Sequence, residues 1–233
     1  PTPAPAPAPA PTPTPAPAPA PAPSGSSTAA ACLDLSFFNT STRWEITTRS
    51  TSGGSAIDSK TEYQVEAPAP FAGVTATPIK FTTTVLAGIG AGTSVNGRSY
   101  SVINSQDVLN YGTVTTSTTF GVTITSTVTQ TPAAIIRYSL GVGESFTQTY
   151  SSAVTGTPFP IPATSVTRTQ TFLGFEDVTV PAGTFAGACK WQFVEGGTTT
   201  TSWNTKAGVP LRSTSPGSEM VLIGGSINGG ALR

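Results

Sequence analysis

Between residues 114 and 129 the chain alternates with a period of two. Val114, Phe120, Val122, Ile124 and Val128 stand on even positions, and odd positions hold only Thr, Ser and Gly. Successive side chains of a strand point to opposite faces, so this pattern predicts a strand region with one apolar face and one hydroxyl face. Similar runs recur near 42–50, 60–66, 75–86, 98–104, 145–151, 164–175, 184–195, 198–204 and 218–223. Gly53-Gly54, Asn96-Gly97 and Gly196-Gly197 are flanked by such runs and suit hairpin turns that need positive φ. No amphipathic helix longer than a turn or two is expected, and 104–110 is the best short candidate. The expected fold is therefore all-β and mainly antiparallel: a large curved meander sheet, half-barrel or barrel-like, with little helix.

Residues 1–23 alternate Pro with Ala and Thr. Proline fixes φ and lacks an N–H, so such a repeat builds no core and favours extended polyproline II geometry. At about 3.1 Å per residue the leader would span roughly 70 Å, a spacer length. Residues 1–30 are accordingly expected to be a disordered Pro/Ala/Thr-rich linker, and 31–233 a single β-rich domain large enough to bury its own core. The chain starts with Pro rather than Met, which suits a removed signal peptide. The expected location is the bacterial periplasm or cell surface, with a lipid anchor upstream of residue 1 or a spacer between two domains as the alternatives.

Charge narrows the partners. Eleven basic and eleven acidic residues give zero net charge, and charged residues are only 9% of the chain. Phosphate backbones require a Lys/Arg stripe, so nucleic acid is not an expected partner. No apolar run approaches the roughly 18 residues that a membrane-spanning helix needs. Thr and Ser, roughly three residues in ten, replace charge as the wetting surface of the strands.

The two cysteines, Cys32 and Cys189, stand near the start and late in the folded part. In an oxidising compartment they would close a loop of about 157 residues, contributing about 4–5 kcal/mol in the chain-entropy model. Two separately buried thiols are the alternative. With no His in the chain, two Cys cannot supply the usual four zinc ligands, so no metal or cofactor is expected.

The absence of His also removes Ser-His-Asp and Cys-His catalysis. Gly88-Ile-Gly-Ala-Gly92 leads into Thr-Ser-Val rather than a helix, which fails the context a dinucleotide loop requires. Glu176 and Asp177 are adjacent and would point to opposite faces of a strand. No catalytic residue is assigned, and a non-enzymatic role is expected.

The C-terminal third carries a series of short motifs. Val178-Thr-Val-Pro-Ala-Gly-Thr-Phe185 is followed by Cys189-Lys190, a hairpin, Trp203 and Ala207-Gly208-Val209; Leu140-Gly-Val-Gly-Glu-Ser145 lies upstream. The series resembles a family of bacterial envelope proteins and lipoproteins of unknown function, over residues 95–215. Arg98-Ser-Tyr100 and Tyr111-Gly112 are a weaker part of the same likeness. That family is distantly similar to the periplasmic lipoprotein-carrier fold, a curved antiparallel sheet that holds acyl chains in its concavity. This chain lacks the helices that plug that sheet. Within the motif, Pro181 ends an extended segment, Gly183 permits a tight turn, and Phe185 begins the next buried face.

Two functions stay open. One is an exported envelope domain that binds a lipid or other apolar or amphipathic ligand, or an envelope protein, on a face lined by Phe120, Val122, Ile124 and Phe193. The other is a carbohydrate-binding or adhesive module using exposed aromatics, for which Trp44 and Trp203 are the candidates. A two-residue turn at Gly196-Gly197 would pair Trp191 with Ser202 and Lys190 with Trp203, which puts the two tryptophans on opposite faces.

Overall fold

A computed structural model describes residues 28–119, 121–158 and 160–232. The leader and Phe120 therefore lie outside the described residues. Two 3-10 turns, Ala29–Cys32 and Leu35–Phe38, precede fourteen strands. The long strands are β1 (Arg43–Ser52), β2 (Ser55–Val65), β4 (Val74–Ala87), β5 (Ser94–Ile103), β6 (Asp107–Thr119) and β7 (Val122–Arg137). They continue as β8 (Ser145–Thr155), β9 (Ile161–Val180), β10 (Gly183–Glu195), β11 (Thr198–Asn204), β12 (Pro210–Ser215) and β13 (Ser218–Ile227). Two short strands, β3 (Ala69–Phe71) and β14 (Gly230–Ala231), attach to β4 and β13.

The twelve long strands follow one another as an antiparallel meander, and β1 pairs with β13 to close a barrel. Closure pairs both terminal long strands, β1 and β13, which would otherwise be open edges. The all-β, mainly antiparallel, barrel-like fold expected from the alternation is the fold observed.

Register assigns the strands two faces. One carries Cys189, Trp191 and Phe193 of β10 and is called the disulfide face. Through the pairings it continues as Phe172 and Gln170 on β9, Tyr150 on β8, Ile124 on β7 and Phe81 on β4. It reaches Tyr63 on β2 and Trp44 on β1. The other face carries cross-strand hydroxyl pairs, among them Thr116–Thr125 (3.0 Å), Thr147–Thr169 (2.8 Å) and Thr149–Thr167 (2.9 Å), and is called the ladder face. On β8 the disulfide-face residues Phe146, Gln148 and Tyr150 are buried or half-buried, whereas Ser145, Thr147 and Thr149 are exposed. On β8 the apolar and amide side chains thus sort to one side and the hydroxyls to the other, as strand periodicity demands.

Two aromatic clusters make the core. The larger one gathers Phe37, Trp44, Ile46, Val65, Phe185 and Leu222 with other residues of seven strands. In it Phe37 lies 4.3 Å from Trp44, which stacks on Tyr63 at 4.7 Å. The smaller one holds Ala29, Cys32, Leu140, Phe172, Cys189 and Trp191. The Cys32–Cys189 disulfide lies inside it, with a Cα–Cα distance of 6.0 Å. Ala29 is fully buried, and its N–H donates to Leu140 O at 2.8 Å. Thr28–Ala30, placed in the linker by composition, therefore belong to the folded body, because the tether to Leu140 and Cys189 starts there.

Three local expectations are corrected. Asn96-Gly97 is no turn but lies within β5. Glycine is needed at 97 because a Cβ there would come within 2.3 Å of the Phe81 ring and 2.7 Å of Val114 O. Residues 104–110 form a tight connection and the start of β6 rather than a helical turn; the Asn104 side chain accepts from Gln106 and Asp107 N–H at 2.8 and 2.7 Å. The run 114–129 is two strands, with Thr119 pairing Val122. Across that hairpin the parity changes, so Val114 lies on the ladder face while Val122, Ile124 and Val128 lie on the disulfide face.

Candidate functional site

The closing hairpin of the motif region is built as its residues dictate. β9 ends at Val180, Pro181-Ala182 make the turn, and β10 starts at Gly183 with φ +136°. Phe185 is buried beside Val178 and Val180, and the Ala182 N–H reaches Leu222 O at 3.3 Å. Val178, Val180 and Phe185 of the motif belong to the larger core cluster.

Both tryptophans expected at the surface are buried. Trp44 and Trp203 are 8% and 7% exposed. Trp44 is covered by Phe37 and Tyr63, neighbours that the sequence spacing does not announce. Trp203 pairs with Lys190 on one side and Arg212 on the other, and their cations lie 5.1 and 5.3 Å from its ring. The stems of such long side chains cover an indole well. Trp191 pairs with Ser202, so the two tryptophans of this hairpin do lie on opposite faces.

The expected apolar wall is rearranged. Val122 is 62% and Ile124 38% exposed, so neither is core. Phe193 is half-buried against Trp191 in the disulfide cluster, on a strand separated from β7 by β8 and β9. What Val122 and Ile124 join instead is a strip of the disulfide face. Ile124 faces Ser117, which faces Val95; Val128 faces Val154, which faces Ile161. Val95 and Ile161 are also exposed. The strip thus runs across β5 to β9 beside the β6–β7 turn.

Below the strip on β9, the disulfide-face parity brings Val166, Arg168 and Gln170 into line. Gln170 is fully buried and pairs its amide with both backbone groups of Arg137. Gln148 does the same for Ile135. Pairing of β7 with β8 stops at Thr131, and Pro132 has no N–H to extend it. On its β8 side the end of β7 is therefore held by side-chain amides, while its other side pairs with β6.

Arg168 borders a 420 Å³ cavity together with Ile136, Phe193, Glu195, Thr198 and Thr200. Its Nη2 donates to Ile135 O at 2.9 Å, while its Nε is buried without a partner. Tyr150 and Phe193 flank the guanidinium at 5.9 and 5.7 Å. Burial pushes the Tyr150 phenol up; the Arg168 charge opposes this and Glu195 adds to it. Sequence reading missed Arg168, Gln148 and Gln170. The available signal was polarity at the parity that otherwise carries apolar residues, as in Val166-x-Arg168-x-Gln170-x-Phe172.

A second cavity of 480 Å³ has a mixed lining of polar and aromatic side chains. Glu45, Glu62, Gln64, Lys80 and Thr82 line it with Arg43, Trp44 and Tyr63. Glu45 and Glu62 stand directly opposite each other, and Lys60 bridges them at 2.9 and 3.0 Å. No helix among the described residues is long and apolar enough to cross a membrane.

Compared with protein-family models, curated proteins and solved structures, the chain matches none of them.

Proposed function

We propose that this chain is a non-catalytic, exported domain of the bacterial cell envelope that binds an amphipathic ligand on its disulfide face. The observation that carries this reading is the strip of Val95, Val122, Ile124 and Ile161. These four exposed apolar side chains fall on one face of strands β5 to β9, whose opposite face carries exposed hydroxyl pairs. A group of exposed apolar side chains gathered on one polar face is a mark of a binding site. The resemblance of the Val178–Phe185 motif series to envelope proteins points to the same compartment, and the disulfide suits an oxidising one.

The test is native mass spectrometry with single-chain dodecyl amphiphiles below their micelle concentration. Binding of a discrete number of molecules is expected. Val122→Ser with Ile124→Ser should weaken it about thirtyfold, since each loses roughly 1 kcal/mol of apolar contact. Because both side chains are exposed, the melting temperature should hold. Bare protein at all concentrations would reject the reading.

A glycan-binding role is the second reading, favoured by the polar and aromatic cavity beside the Trp44–Tyr63 stack. Glu62→Gln, with Lys80→Gln, would then abolish saccharide binding and leave amphiphile binding intact.

A further inference from the structure

We propose that the amphiphile taken on the disulfide face carries a zwitterionic headgroup, seated in the cavity between Arg168 and Glu195. The inference rests on the amphiphile reading above and adds the chemical class of the ligand.

Arg168 and Glu195 stand directly opposite each other on β9 and β10. Register alone would make them an ion pair, yet none closes between them; the salt bridges of the described residues join other partners. The guanidinium is instead held by Ile135 O and by the flanking rings of Tyr150 and Phe193. Its Nε is buried and has no acceptor. A buried donor without a partner is costly, and an incoming phosphate or carboxylate oxygen that reached it would recover that cost. Glu195 is exposed at the other side of the same cavity, with only a long 3.5 Å contact from the Tyr150 hydroxyl. Its carboxylate would repel a purely anionic headgroup and attract an ammonium.

The cavity and the apolar strip share strand β9. Val166 is two residues from Arg168 on the same face of β9, and Ile161 lies farther along that strand opposite Val154. A headgroup at Arg168 therefore leaves its chain running along β9 towards Ile161 and the β7 valines. The volume of 420 Å³ suits a phosphate–ammonium group.

Calorimetric titration with three lysolipids of one acyl chain separates the possibilities: phosphoethanolamine, phosphoglycerol and neutral monoacylglycerol heads. The zwitterion should bind about tenfold tighter than the other two. Glu195→Gln, an exposed change, should shift preference towards phosphoglycerol. Arg168→Gln should erase the advantage of the zwitterion, and Arg168→Lys should retain part of it. Equal affinity for the three heads, or a ranking unmoved by Glu195→Gln, would overturn the headgroup assignment while leaving the apolar strip standing. Failure of all three to bind would overturn both.

Discussion

The side chain of Gln170 pairs with Arg137 as a neighbouring strand would: its amide oxygen accepts from Arg137 N–H at 2.9 Å, and its amide nitrogen donates to Arg137 O at 3.1 Å. With Gln170 fully buried, no solvent stands ready to replace it.

Gln170→Leu should therefore cost about 2–4 kcal/mol, the penalty for stranding one backbone donor and one acceptor. Urea unfolding measures it. A loss below about 1 kcal/mol would mean that water enters and satisfies both groups.

Gly97 is a space-filling constraint. A methyl group there would overlap the Phe81 ring and Val114 O. Gly97→Ala should destabilise by about 2–3 kcal/mol, in the range of overpacked sites. Phe81→Leu in the same chain should recover part of this, a coupling that a double-mutant cycle reads directly.

The disulfide joins residues 157 apart. Its removal by Cys32→Ala with Cys189→Ala should lower stability by about 4 kcal/mol if the released loop entropy dominates. Equal unfolding midpoints of the oxidised chain and the double variant would show that the bond adds nothing to the folded state.

Alkaline stability follows from buried phenols. Burial pushes Tyr138 up to about 12, and pushes Tyr63 up as well. The unfolded phenol ionises near pH 10, so it releases its proton first. Stability should be level below about pH 10 and fall from there towards pH 12. Tyr138→Phe should flatten that fall. Denaturant midpoints across this range, with phenolate absorbance, check both direction and window.

Sequence periodicity made the strands legible, and the Gly196-Gly197 turn made the Trp191–Ser202 and Lys190–Trp203 pairings legible as well. Those features are local: a turn of known length fixes register by itself. The exchange of faces between β6 and β7 escaped because Thr119, an odd position, pairs with Val122, an even one, so the even–odd rhythm of the letters continues while the faces swap in space. Trp44 escaped for a different reason. Its cover comes from Phe37 in a 3-10 turn and Tyr63 across a strand pair, and neither contact leaves a mark in the spacing. Arg168 and Gln170 break the apolar parity of β9, and such breaks mark where a strand holds something other than core.

The Cys32–Cys189 bond also sets how the body answers to force. A pull applied ahead of Thr28 reaches β10 through a covalent link, without passing through β1 to β9. While the bond holds, the loop it closes cannot lengthen, and only the segments outside it can extend. Under tension between the two termini, β11, β12 and β13 would peel away first. Most of the disulfide face, including β5 to β9, would keep its shape on a loaded tether.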